Sequence, residues 1–434
     1  MNLFKTTAAL GAVLLVGAGC SEELPTSPDP GMIPVEARTV EVRLPFASFA
    51  ENPRTYSGFG STSDVGRGEI ARDFDGVLNA HTLVRFGAFP RSVTVRDTAG
   101  VSRTDSVLTF PEGRIVVHFD TLSIRGEPPL DVSAAAILTP WQSRTATWEM
   151  AVDTLGGSEP WPTPGGGPVR SVAQAEWNLA DGDSVVMAVD SATLAEWRDT
   201  TNLARGVRLS METPDARVRV RTAALRLDTR PSVRPDTIVQ TSTGSGSITF
   251  IYDPVPDPAE EVLRIGGVPA TRAVFDLNFP EVLDGPEEVC EVLGCPFELN
   301  PESVIFASLV LQAAPTPRAF RPVQSLSLDV RPVLSPERLP RSPLGSSLLQ
   351  APRELPASYF TEDGGGSIAI PMTSFVQAVI SGTTNQGQAT PRTLALLSAF
   401  EPESLDLATF APPGSENEPY LRIVFTLTDG VTLP

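Results

Sequence analysis

One pattern is written twice in this chain, and it limits the possible folds more than any other feature. Near the C-terminus it runs Gly366-Ser-Ile-Ala-Ile-Pro-Met372, then Thr373-Ser-Phe-Val-Gln-Ala-Val-Ile380, then Arg392-Thr-Leu-Ala-Leu-Leu397, then Tyr420-Leu-Arg-Ile-Val-Phe-Thr-Leu427. The other copy runs Asp183-Ser-Val-Val-Met-Ala-Val189, then Ser191-Ala-Thr-Leu-Ala-Glu-Trp197, then Gly206-Val-Arg-Leu-Ser210, then Ala223-Ala-Leu-Arg-Leu-Asp228. Short apolar alternation marks strands. The spacing of Leu194 and Trp197, or of Phe375, Val376 and Ile380, marks one short helix with those side chains turned inward. A duplication of this kind specifies a fold and leaves the activity open.

The 434 residues suffice for two domains, each with a core of its own. With 42 Pro and 34 Gly breaking many short apolar runs, the expected class is all-β. About eight antiparallel strands per unit need both faces of a sandwich to close a core, so two tandem β-sandwiches are expected. The formal net charge of −19 argues against nucleic acid, which needs a basic face, and against lying flat on an anionic bilayer. Lys5 is the only lysine, so Schiff-base chemistry and a phosphate-binding P-loop lysine have no residue in a chain cut after it. His81 and His118 are the only histidines, too few for a His-rich metal site.

The N-terminus reads as a secretory leader, residues 1–19: Lys5, then the apolar run Ala8 to Ala18, too short to span a bilayer. It ends in Val16-Gly-Ala-Gly-Cys20, which resembles the lipobox of bacterial lipoproteins, with Gly17 where Leu is usual. The resemblance implies cleavage before Cys20, acylation of its thiol and a membrane anchor. Residues 20–36, acidic and Pro-rich, form an expected disordered tether. Ser21 in place of Asp favours the outer membrane, with the facing side, periplasmic or surface, left open. Cys290 and Cys295 are the remaining cysteines and are expected to form a disulfide in an oxidising compartment, worth about 2 kcal/mol.

The first sandwich is expected over 37–230, a linker over 231–246 and the second sandwich over 247–434. Thr39-Val-Glu-Val-Arg-Leu44 opens the first and Ser247-Ile-Thr-Phe-Ile-Tyr252 the second. The strand led by Arg114 then corresponds to the one led by Arg272, and Val132–Leu138 to Val304–Leu311. Ala146–Val152 parallels Ser325–Val330.

Trp177-Asn-Leu-Ala-Asp-Gly-Asp183 running on to Trp197, with Ser398-Ala-Phe-Glu-Pro-Glu403 and Glu418-Pro-Tyr-Leu-Arg-Ile-Val-Phe425, resembles the secreted jelly-roll modules called DNRLRE domains. Those are related to carbohydrate-binding modules of family ninety-six. The resemblance covers about two-thirds of the chain as pattern; the namesake motif is absent, and Ile380 stands where Trp197 stands in the other copy. It implies a jelly-roll fold and glycan binding.

All five Trp, at 141, 148, 161, 177 and 197, fall in the first unit. Four sit in or beside apolar strands or the helix and read as core. Trp161, set among Pro160, Pro162, Pro164 and three glycines, reads as a loop residue and is the candidate for stacking a ligand ring. Asp181, Asp183, Glu401, Glu403 and Asp406 could supply oxygen ligands to Ca2+, but without EF-hand spacing, so no cofactor is expected. Nucleophile-elbow, zinc-protease and dinucleotide glycine patterns are missing, and no catalytic residue is assigned. The expectation is a non-catalytic envelope lipoprotein that binds glycan or an envelope protein, or serves a structural role. The alternative is a glycan hydrolase or lyase using paired carboxylates on a sheet face.

Overall fold

The computed structural model describes residues 38–256, 262–285, 287, 290–291, 295–383, 387 and 389–427. The expected leader (1–19), Cys20 and the tether (20–36) lie outside the described residues. The chain enters through β1 (Arg38–Pro45), a helical turn (Phe46–Phe49) and β2 (Ala50–Phe59). Next come β3 (Gly68–Phe74), β4 (Leu78–Phe86), a hairpin of β5 (Val93–Arg96) and β6 (Ser102–Asp105), β7 (Leu108–Phe119) and β8 (Leu130–Ile137). A hairpin of β9 (Met150–Thr154) and β10 (Gly157–Pro160) precedes β11 (Val169–Trp177) and β12 (Ser184–Asp190). The helix Ser191–Arg198 leads to β13 (Val207–Met211), β14 (Ala216–Pro231) and β15 (Val239–Asp253).

The second half repeats this plan. It runs through β16 (Arg264–Gly266), β17 (Ala270–Leu277), the short pair β18 (Val282–Leu283) and β19 (Phe297–Glu298), and β20 (Val304–Ala314). Then come β21 (Leu326–Pro332), β22 (Arg353–Leu355), β23 (Ser367–Pro371) and the helix Thr373–Ser381. β24 (Thr393–Ser398), β25 (Leu407–Phe410) and β26 (Tyr420–Leu427) complete it.

The strands pair as a long hairpin does when it is rolled up. In the first unit β4 pairs with β15, β7 with β14 and β8 with β13, while β11 and β12 lie side by side at the ends of the path. Arg170 Nη1 donates to Thr193 Oγ1 at one end of that seam, and the Trp177 indole to the Gly182 carbonyl at the other. In the second unit β17 pairs with β2, β20 with β26 and β21 with β24, and β23 lies on β20 as β12 lies on β7. The protein is all-β, with two antiparallel sandwiches and one short helix following the same strand of each.

Each roll encloses its own core. Ile115, Val117, Phe119, Trp177, Leu209 and Val218 belong to the first, and Phe275, Leu309, Leu328, Leu396, Phe410 and Ile423 to the second. A fully buried side chain of this size contributes about 1.5–3 kcal/mol. Asp190 caps the first helix by accepting from the Thr193 amide at 2.7 Å. Leu194 and Trp197 are turned inward as expected. In the second helix Val376 and Val379 are the buried pair, and Phe375 and Ile380 pack against the core from its margin.

The pairing corrects several expectations. Thr39–Leu44 opens the first half of the sequence, yet β1 pairs with β26 and β2 with β17, both in the second sheet. Ser247–Tyr252, expected to open the second unit, belongs to β15, which pairs with β14 and β4 of the first. Val239–Gly246, inside the expected linker 231–246, is part of the same strand. Alternation reports that one face of a strand is buried and is silent about which sheet buries it. For the same reason β7 corresponds to β20 rather than to the Arg272 strand, and β8 to β21. Met150–Thr154 pairs with Gly157–Pro160 in a hairpin outside the main sheet.

Candidate functional site

The two units meet over a face of β14 that carries charge. Ala216, Val218 and Val220 point into the first core, so alternation sends Arg217 and Arg219 to the opposite face, where the second unit covers them. Arg217 is 1% exposed. Its Nε donates to Glu69 Oε1 at 2.5 Å, Nη2 to Asp406 Oδ1 at 2.8 Å and Nη1 to the Ala319 carbonyl at 3.0 Å. Arg219 Nη2 donates to Asp406 Oδ2 at 3.0 Å. Burial alone would lower the Arg217 pKa, and Glu69 with Asp406 reverses that and raises it. Burial alone would raise the Asp406 carboxyl; Arg217 and Arg219 hold it below its ordinary value. Around the ions, Phe74, Leu78, Phe250 and Tyr252 of the first unit pack on Val268, Phe320, Leu405 and Leu407 of the second.

Beside this junction lies a cleft of about 260 Å³. Gly60, Ser61 and Thr62, where the chain passes from the second unit to the first, form one border, and Val255, where it passes back, forms another. Phe250, Ile251 and Tyr252 give an apolar floor, and the Tyr252 hydroxyl donates to the Val268 carbonyl. The remaining wall is the segment Arg144–Trp148 with Asp153, and Pro269 of the second unit completes the lining. Thr62 Oγ1 and Thr249 Oγ1 are 2.8 Å apart, and Thr145 Oγ1 accepts from the Asp153 amide. Arg144 and the Asp153 carboxylate are exposed at the rim.

Trp148 is half-buried in that wall. Its ring stacks on His81, centroids 5.1 Å apart and planes at 22°. Gly165 fixes it from another side: its amide donates to the Trp148 carbonyl at 2.8 Å, its φ is +84°, and a Cβ there would stand 3.0 Å from Trp148 Cζ2. Only glycine meets both demands. Burial first, then the Arg208 guanidinium, pushes the His81 pKa from 6.5 down to about 3. The unfolded chain therefore takes up a proton near pH 6.5 that the folded chain refuses until about 3. The stability His81 contributes is present above pH 6.5 and is lost as pH falls, by up to about 1.4 kcal/mol per unit. Urea midpoints at neutral and mildly acid pH should show this slope, and His81→Gln should remove it. Parallel pH curves for the two proteins would contradict the assignment.

Trp161, the residue expected to stack a ligand, is 3% exposed. Its indole donates to the Thr147 carbonyl at 2.9 Å, and its ring packs with Trp141, Ala151 and Ile251. With no open face it is a wall anchor. Trp148, assigned to the core by its sequence neighbours, is the tryptophan that lines the cleft.

The acidic positions do not converge. Asp183 pairs with His118 and Arg221, and the His118 hydrogen bond leads in lowering its pKa. Glu401 pairs with Arg272, and burial raises both its carboxyl and that of Glu403. Asp406 belongs to the junction. Among the described residues no group of three or more His, Cys, Asp and Glu could hold a metal ion. Cys290 and Cys295 form the expected disulfide. Sequence reasoning missed Arg144, Trp148 and Asp153, and also Glu69, Arg217 and Arg219. The run Ala216-Arg-Val-Arg-Val-Arg221 signals a charged strand face but not that a second unit covers it.

No family model matches this chain, and no curated protein matches it. Among solved structures, one titled BspA_C_WT is 7% identical, aligned over 73% of this chain and 84% of that one, with a TM-score of 0.13. A likeness that slight carries no argument.

Proposed function

We propose that the chain is a non-catalytic, glycan-binding lipoprotein of the cell envelope, anchored in the outer membrane through Cys20, and that the cleft between its units holds a sugar ring. The carrying observation is the cleft itself: an indole on one wall, an apolar floor, and Arg144 and Asp153 at the rim. An indole presents an apolar face to ring C–H groups, while a guanidinium and a carboxylate recognise hydroxyls. The resemblance to DNRLRE modules points the same way. Two-carboxylate glycoside hydrolysis needs a pair of acids, and among the described residues that line the cleft Asp153 is the one acid.

The test is a glycan array followed by titration of the chain from Ser21 to Pro434. Trp148→Ala should weaken binding about tenfold, the equivalent of roughly 1.4 kcal/mol, and Trp148→Phe less. Unchanged affinity in Trp148→Ala would move the site elsewhere. Silence across the array would favour an envelope protein as the partner. Mass analysis of the mature N-terminus tests the anchor, and an unmodified Cys20 would remove it.

A further inference from the structure

The strand that closes the second unit reaches it from the far end of the chain. β1 and β2 take, between β26 and β17, the place that β15 takes between β14 and β4. β15 follows directly from the unit it closes. β1 and β2 are joined to theirs only through the whole of the first unit. The segment is no minor trim: Val42, Leu44, Phe46, Phe49 and Ala50 are all part of the second core, with the Phe46 and Phe275 rings 5.3 Å apart. β1 runs in register with β26 from Arg38 opposite Leu427 to Pro45 opposite Tyr420, and Arg422 Nη2 reaches Glu41 Oε2 at 2.6 Å. On the other side the segment continues only through Gly60–Arg67, eight residues able to span about 26–29 Å when extended.

We propose that residues 38–59 can close the second unit of another copy of this chain, giving a strand-exchanged dimer. Register, ring contacts and the Glu41–Arg422 pair all lie within the exchanged segment and its acceptor, so an exchanged unit keeps every one of them. What changes is the path of Gly60–Arg67, including the seat of Gly60 against Pro402 and the bonds from Ser61 to Asp64. The balance between closed monomer and exchanged dimer is then set by concentration against the effective concentration of the chain's own segment. Gly60, Ser61 and Thr62 line the cleft, so the exchanged form rebuilds that border around a redirected crossover. The exchange does not depend on the proposed glycan or anchor.

The test uses the chain from Ser21 to Pro434 carrying Arg43→Cys and Arg422→Cys, positions that face each other across β1 and β26. It is unfolded with reductant, refolded at two concentrations, oxidised and run on a non-reducing gel, with each single cysteine as control. Exchange predicts a covalent dimer whose ratio to the cross-linked monomer rises about tenfold for a tenfold rise in concentration, by mass action, and that the single variants do not match. Cross-links confined to single chains at both concentrations would overturn the proposal. Light scattering on the unsubstituted chain refolded the same way should find a dimer that persists on dilution, and a monomer alone would count against it equally.

Discussion

Arg217→Leu is expected to lower the unfolding free energy by about 3–5 kcal/mol, because it leaves Glu69 and Asp406 buried with half of their cationic partners gone. The guanidinium has three partners from three parts of the chain: Glu69 in β3, Asp406 before β25 and the Ala319 carbonyl. Desolvating an unpaired carboxylate costs more than the original pair gains, so a triple variant with Glu69→Leu and Asp406→Leu should recover much of the loss. The pH dependence supplies a second reading. Asp406 has a lowered pKa in the folded chain, so its contribution is present above the ordinary 3.8 and is lost as pH falls through the lower folded value. In Arg217→Leu that acid limb should shrink. Urea unfolding across pH measures both effects, and a loss below about 1 kcal/mol, the range of exposed pairs, would contradict the buried network.

The second large effect concerns the closing segment. Phe46→Ala removes a ring that is 2% exposed and stands edge-on to Phe49 and Phe275, at a cost of about 3–5 kcal/mol. Although Phe46 stands near the start of the sequence, its loss should weaken the second unit. All five tryptophans lie in the first. Far-UV circular dichroism should therefore begin to change at lower urea than tryptophan emission does. Coincident transitions for the two probes would mean instead that the sandwiches unfold as one cooperative body.

The sequence was most informative where structure is local. The strand–helix–strand order around Ser191–Arg198 and Thr373–Ser381 was legible because alternation and helical spacing both act within a few residues. The exchange of closing strands was not, because Thr39–Leu44 and Ser247–Tyr252 alternate alike and their partners lie far away. Arg422, the partner of Glu41, is 381 positions along. Trp161 misled through its neighbours: proline and glycine do mark a loop, but this loop folds back over Ile137 and Ala151 and buries its ring. The cleft is assembled from residues near 60, 148 and 252, and no single stretch of sequence contains it.

The course of β1 and β2 also decides how the molecule would bear a pull. An anchor preceding Arg38 and a load held in the cleft near Gly60 would tug on opposite ends of one continuous segment, the segment that closes the second sandwich. That tension runs along the strands, so the ladders to β26 and β17 are loaded in shear with many hydrogen bonds sharing the force, instead of being peeled open one at a time. Resistance to forced opening is set by the unfolding rate. In the proposed lipoprotein, the register between Arg38 and Pro45 would thus act as a mechanical clamp between the proposed anchor and a load in the cleft.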